Sequence, residues 1–177
     1  MTAERVVLLD AARRPIGSAI KSEVHHEQTP LHLAFSIHVV DEEDNTLLTR
    51  RALTKRTWPG VWTNACCGHP APGQDTGDAA GLRLEHELGL TSQAITLALP
   101  DFSYQAVDAS GVVENEICPV YVAQLAGRTP NPTPDDAEVA EWRWLPRTEA
   151  IDLARRHPWL LSPWSVLQFA QLDDRRP

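Results

Sequence analysis

No run of lysine or arginine longer than two occurs in this 177-residue chain, whose formal net charge is −8. An acidic balance of that kind does not draw nucleic-acid phosphates or an anionic membrane surface, so neither is expected as a partner. Long apolar runs are missing too. The N-terminal stretch "MTAERVVLLDAARRP" holds four consecutive apolar residues between charges, far short of the ~20 that a membrane span needs or of a secretory core. A soluble, cytoplasmic protein is the expectation. Cysteine is scarce, with three in all and two of them adjacent. Such a set is a poor disulfide framework, because adjacent residues rarely reach bridging geometry and the cytosol keeps thiols reduced. The thiols are therefore structural, metal-bound or catalytic. Paired Cys-x-x-Cys spacings, the mark of a closed structural zinc site, are absent. So are internal repeats and domain linkers. With 42 % hydrophobic residues, the length suits one well-buried core, and a single domain over 1–177 is expected.

What is present is patterned. Leu31, Leu33, Phe35, Ile37 and Val39 alternate with His32, Ala34, Ser36, His38 and Val40, a period of two that predicts a strand with one core face. The acidic stretch 41–45 reads as a turn and Thr46–Thr49 as the returning strand of a hairpin. Residues 50–56, "RRALTKR", form a basic patch in an acidic chain. Prolines and glycines between Pro70 and Gly77 mark a loop, after which Asp78 can cap a helix striped by Ala80, Leu84 and Leu88 and stopped by Gly89. Strands follow at 102–107 and 112–122, then a proline-rich surface loop, "GRTPNPTPDDAE", and a short strand at 141–145. Pro146 opens a helix to about His157, and Ser162-Pro163 opens the last one. Strands, helix, strands, helices in one domain make an α/β sandwich.

Several residues sit awkwardly for a purely structural role. Glu87 is a carboxylate in the last turn of its helix, facing the negative end of the dipole, four residues after Arg83 in the weaker pair orientation. A surface Glu would cost only tenths of a kcal/mol there, whereas a bound cation would make the placement useful. Glu114 and Glu116 share one face of a strand about 7 Å apart, and two such carboxylates repel unless a positive charge lies between them. His25, His32 and His69 add three nitrogen donors to these two carboxylates. That set suits zinc, manganese or iron rather than magnesium. Each histidine taken alone is more often a satisfied core or surface group.

The stretch "TRRALTKRTWPGVWTNACCGHP", with "LHLAFS" before it and "SGVVENEICPV" and "SPW" after it, resembles the type I isopentenyl diphosphate isomerases of the Nudix superfamily. The matching motifs run from Lys21 to Trp164. The resemblance implies a sandwich of mixed β-sheets flanked by helices, classed α/β (α+β), with its catalytic core at about 30–165. It implies interconversion of isopentenyl and dimethylallyl diphosphate, in isoprenoid precursor biosynthesis, by protonation at one carbon and deprotonation at another through a tertiary carbocation. Cys67 and Glu116 match the family's proton-transfer pair. Tyr104 matches the tyrosine that hydrogen-bonds the glutamate, and Trp164 the tryptophan flanking the reacting carbons. His25, His32, His69, Glu114 and Glu116 match the ligands of one Mn²⁺ or Zn²⁺. Glu87 and the Cys67 backbone match the holders of a Mg²⁺ bound with the substrate. Lys21, Arg51, Lys55 and Arg83 match the cations on the diphosphate. Counting back from "LHLAFS" selects His25 over His26, which should face solvent or support the loop. Cys66 has no matching role and reads as a small buried side chain. The implied partner is a small-molecule diphosphate, and a monomer or weak homodimer is expected.

The alternative reading is a Nudix diphosphohydrolase. The hydrolytic box, counted from Gly68, requires carboxylates where this chain has Gln74, Arg83 and His86, and it requires arginine where this chain has Leu82. Only Glu87 survives of four glutamates, and a diphosphatase needs that cluster to hold magnesium and prepare a water nucleophile. Hydrolysis is disfavoured on that ground.

Overall fold

The computed structural model describes residues 3–174. In chain order the elements are β1 (Arg5–Leu9), β2 (Pro15–Ile20), α1 (Lys21–Val24), β3 (His32–Leu33), β4 (Phe35–Val40), β5 (Asn45–Arg51), β6 (Trp62–Thr63), β7 (Cys66–Gly68) and α2 (Thr76–Leu88). They continue with β8 (Ala94–Leu99), β9 (Ser103–Val107), β10 (Val113–Ile117), β11 (Val120–Gln124), β12 (Val139–Pro146), α3 (Arg147–Arg156) and α4 (Pro163–Asp174). One sheet runs β2-β1-β3-β10-β9 and the other β12-β5-β4-β11-β8, with β6 paired to β5 and β7 to β4. The layout is the expected mixed-sheet sandwich with helices.

The expected single strand at 31–40 is instead two, broken at Ala34, with β3 in one sheet and β4 in the other. The strand expected at 112–122 breaks in the same way at Cys118-Pro119. The two breaks are coupled. β3 runs parallel to β10 and β4 parallel to β11, and across the gap the Ala34 N–H donates to the Ile117 carbonyl and the Ser36 N–H to the Pro119 carbonyl. Both chains therefore leave one sheet and enter the other side by side, opening a cleft between the sheets at that point. β4 is also buried on both faces rather than one, because β11 and β5 flank it within its sheet while α2 and α4 cover the two faces.

The α2 cap lies three residues earlier than expected. The Asp75 carboxylate accepts from the N–H groups of Gly77 and Asp78, so the helix begins at Thr76 and takes in the end of the expected loop. Gly89 ends it with φ +62°, a conformation that favours glycine. Leu84 and Leu88 then pack with Phe35, Ile37 and Cys66 in the main core, each leucine contributing about 1.5–3 kcal/mol by burial. Cys66 is thus the small buried side chain expected of it.

His38 is enclosed on the opposite face of β4. Its Nε2–H donates to the Gln168 side-chain carbonyl at 2.9 Å, and its ring meets Phe169 edge-on. Burial, aided by the nearby Arg147 charge, pushes its pKa down to about 4 from 6.5. The unfolded chain therefore binds a proton at His38 at a pH where the folded one does not, and stability falls as pH drops below about 6.5. Urea unfolding should show about 2 kcal/mol less stability from this group at pH 5 than at pH 7. His38→Gln should flatten that difference; an equal pH dependence in the variant would show that the loss arises elsewhere.

Candidate active site

The cleft contains a cavity of about 510 Å³ whose walls include Lys21, His25, Arg51, Lys55, Cys67, His69, Arg83, Tyr104, Glu114, Glu116 and Trp164. His32 lies beneath this wall with no exposed surface, and Glu87 is buried behind Arg83. Of the residues expected at a site, most are brought to one place.

Their positions follow from the strand geometry. Glu114 and Glu116 alternate with Asn115 on β10 and so point to one side, while His32 is the residue of β3 that pairs with Glu116. Cys67 and His69 flank Gly68, where a Cβ would stand 2.6 Å from the Phe35 ring. Only glycine lets this strand close down on β4. Cys67 belongs to the sheet of β4 and Glu116 to that of β3, so the two reach the cavity from different sheets.

The nitrogen and oxygen donors of His25, His32, His69 and Glu116 lie within 4.8 Å of one another. Glu116 Oε1 is 3.1 Å from His69 Nε2 and 3.4 Å from His32 Nε2. Glu114 stands outside this foursome but touches it through His25, at 3.0 Å. His32 Nδ1–H donates to the Pro30 carbonyl at 2.9 Å, which orients Nε2 into the cluster. Yet His25 Nε2 and Glu114 Oε2 are both buried without a hydrogen bond, although they face each other at contact distance. Buried polar atoms left without hydrogen bonds suit a metal ion, and the cluster can hold one. Burial opposes ionisation of Glu116, but His32 and His69 outweigh it and hold the carboxyl well below its ordinary range. His26 is exposed; its ring Nδ1 accepts from Gln28 N–H, and its backbone carbonyl accepts from Val113 N–H and the Thr29 hydroxyl.

Cys67 differs from Glu116 in charge. Burial pushes its thiol up to about 11, against hydrogen bonds from Ser36 and Asn64 that act the other way. At neutral pH the sulfur keeps its proton. Tyr104 pairs with Glu116 across β9 and β10, but among the described residues no hydrogen bond joins their side chains. Burial, then the Glu116 charge, raises its phenol well above the ordinary value. Trp164 packs against Tyr104 and edge-on against Trp58, with centroids 5.4 and 5.6 Å away. The Arg51 guanidinium lies 5.8 Å from the Trp164 ring centroid, within cation–π reach.

Three contributors went unrecognised in the sequence. Glu138 binds Lys55 and approaches Arg83 at 3.5 Å, while Arg83 also pairs with Glu87. Two of the four expected diphosphate cations are therefore internally neutralised, and Lys21 is paired with Glu4. Arg51 donates to the carbonyls of Thr57 and Trp58, and among the described residues no carboxylate pairs with its charge. Asn64 is the second: its Oδ1 accepts from Trp164 Nε1–H at 3.2 Å, and its Nδ2 lies 3.4 Å from the Cys67 sulfur. Trp58, the third, does not line the cavity but packs edge-on against Trp164, which does. Only Asn64 carried a signal, its place two residues before the thiol pair.

A sandwich of this topology is that of a NUDIX domain, whose family pattern matches residues 30–165. A solved Deinococcus radiodurans protein shares the fold at 15 % identity and a TM-score of 0.64, covering 87 % of this chain and 90 % of that one. So does the MutT NUDIX hydrolase of Burkholderia pseudomallei, at 19 % and 0.59, covering 80 % and 98 %. Sequence relatives narrow the class. The chain is 56 % identical to the isopentenyl-diphosphate Delta-isomerase of Brevibacterium linens over 96 % of its length and 92 % of that protein's. It is 54 % identical to that of Frankia alni over 93 % and 84 %. This chain belongs to the isopentenyl-diphosphate Delta-isomerase family.

Proposed function

We propose that the chain interconverts isopentenyl and dimethylallyl diphosphate, with Cys67 and Glu116 each handling one proton. The observation that carries this assignment is that the Cys67 thiol and the Glu116 carboxylate enter one cavity from different sheets, burial favouring the protonated thiol and His32 and His69 the ionised carboxylate. Protonation of an unactivated alkene breaks the donor's bond to hydrogen and leaves a tertiary cation, so an acid and a base are needed on opposite sides of the substrate, away from water. The Trp164 face offers the cation up to ~2 kcal/mol of stabilisation when desolvated. Tyr104, kept as a phenol, can donate to Glu116 as its charge changes. Arg51 and Lys21, with Lys55 and Arg83, would take the diphosphate.

A Mn²⁺ or Zn²⁺ would be held by His25, His32, His69 and Glu116 with Glu114 beside them, and when bound it supplies positive charge that favours ionised Glu116. A Mg²⁺ carried with the diphosphate would be held by Glu87 and the Cys67 carbonyl. Glu87→Gln should then raise the magnesium concentration needed for half-maximal rate by roughly tenfold. An unchanged magnesium titration would reduce Glu87 to the ion-pair partner of Arg83. We further propose a cytoplasmic role supplying isoprenoid precursors.

Incubation with isopentenyl diphosphate and Mg²⁺ in deuterated water tests the whole reading. NMR should show dimethylallyl diphosphate with carbon-bound deuterium; phosphate release without it would favour the hydrolase. Against hydrolysis, Gln74 is spent on the Ala71 N–H and Arg83 on Glu87 and Glu138, so neither position supplies a metal-binding carboxylate.

A further inference from the structure

Behind Cys67 the core holds polar side chains that the chemistry above leaves without a task. Ser36 stands directly opposite Cys67 in the β4–β7 ladder, with its hydroxyl 3.2 Å from the sulfur. Gln168 of α4 donates its side-chain N–H to Ser36 Oγ at 2.9 Å and accepts from His38 at 2.9 Å. Ser36 and Gln168 have no exposed surface, and polar groups buried so deeply persist only where they are paired.

The pairing has a direction. His38 donates to the amide carbonyl, so the amide N–H faces Ser36 and occupies one lone pair of its oxygen. The Cys118 thiol lies 3.3 Å from the same oxygen and can occupy the other. The hydroxyl has one proton, and Cys67 is the acceptor left for it. α4 fixes both sides of the sulfur at once. Trp164 and Gln168 are four residues apart on one buried face of the helix; the first anchors Asn64 and the second Ser36, and Asn64 and Ser36 are the two side chains that hydrogen-bond Cys67.

We propose that Ser36 is a positioning residue for Cys67, its hydroxyl turned by Gln168 so that the O–H is delivered to the sulfur. This rests on the assignment of Cys67 as a proton donor and acceptor. When the S–H bond breaks and the proton forms a C–H bond with the alkene, the S–H electron pair stays on sulfur. The Ser36 O–H and Asn64 N–H are then the donors that meet the new charge, already in place before it forms.

The test compares kcat and KM for isopentenyl diphosphate at saturating Mg²⁺ in the parent, Cys67→Ala, Ser36→Ala, Ser36→Thr and Gln168→Met, with melting temperature and metal content measured on the same samples. Ser36→Ala should lower kcat by about 10–100-fold with KM unchanged. Ser36→Thr, which keeps the hydroxyl, should recover most of the loss. Gln168→Met keeps the length but removes the N–H, and should lower kcat several-fold. A Ser36→Ala variant with parental kcat, or a Thr variant as slow as the Ala variant, would overturn the proposal by leaving only packing. Should Ser36→Ala fail to fold, an unchanged kcat in Gln168→Met would overturn it instead. A parent that does not isomerise, or an active Cys67→Ala, removes the Cys67 assignment and this proposal with it, a result distinguishable from failure at Ser36 alone.

Discussion

Cys67→Ala and Glu116→Gln should each lower kcat by roughly 10²–10⁴-fold, since each removes one of two proton-transfer groups that no neighbour replaces. Cys66→Ala should stay near the parent, because consecutive residues of β7 point to opposite sides and Cys66 lies in the apolar core with Leu84 and Leu88. Cys118→Ala should lose far less than Cys67→Ala; its sulfur touches Ser36 and does not line the cavity. Metal content must be measured on the Glu116→Gln samples, so that loss of the ion is separated from loss of the carboxylate. Thiol alkylation should also inactivate, with substrate protecting. Turnover in Cys67→Ala within a few-fold of the parent would remove the cysteine from the chemistry.

The local signals in the sequence were strongest where one element decides its own shape. The hairpin at 41–45, the glycine stop of α2 and the Pro163 start of α4 stand where spacing and turn chemistry put them. The breaks at Ala34 and Pro119 could not be read that way. Alternation continues unbroken through Ala34, and the switch of sheets is imposed by the neighbouring parallel strand. β2 was missed because it carries Pro15 and Gly17 and is exposed or half-buried throughout; β8 did alternate Ile95, Leu97 and Leu99, a usable signal. The cap read at Asp78 stands at Asp75, because it is the Asp75 carboxylate that accepts from the Gly77 and Asp78 N–H groups.

The site divides along the same line. Donor types and their spacing are properties of the chain, so the candidates could be named, but their charge state depends on what meets them. Glu138 closes a stretch that reads as a surface loop, and it reaches Lys55 only because its backbone carbonyl accepts from the Ala52 N–H beside β5. Ser36 and Gln168 are 132 positions apart, and nothing in either segment announces the other. Long-range pairs of this kind set the electrostatics of the cavity while leaving no local trace.

His25→Ala should leave the protein without its transition metal after dialysis and without most of its activity, while His26→Ala should keep both. Neighbouring residues on an extended segment point to opposite sides, and here the two histidines are divided between the cluster and solvent. His25 has 8 % of its surface exposed and its ring centroid lies 5.1 Å from that of His32. His26 instead braces the loop, through Gln28, Thr29 and the start of β10. Loss of outer-shell support alone typically costs 10–100-fold in metal affinity, so loss of a direct donor should cost at least about that much. Atomic emission and turnover on the same samples would read both effects. His26→Ala should bring at most a modest loss of stability from a loosened loop. If that variant were the one to empty, the donor set would have to be rebuilt around the next residue, and the place of Lys21, one helical turn upstream, would move with it.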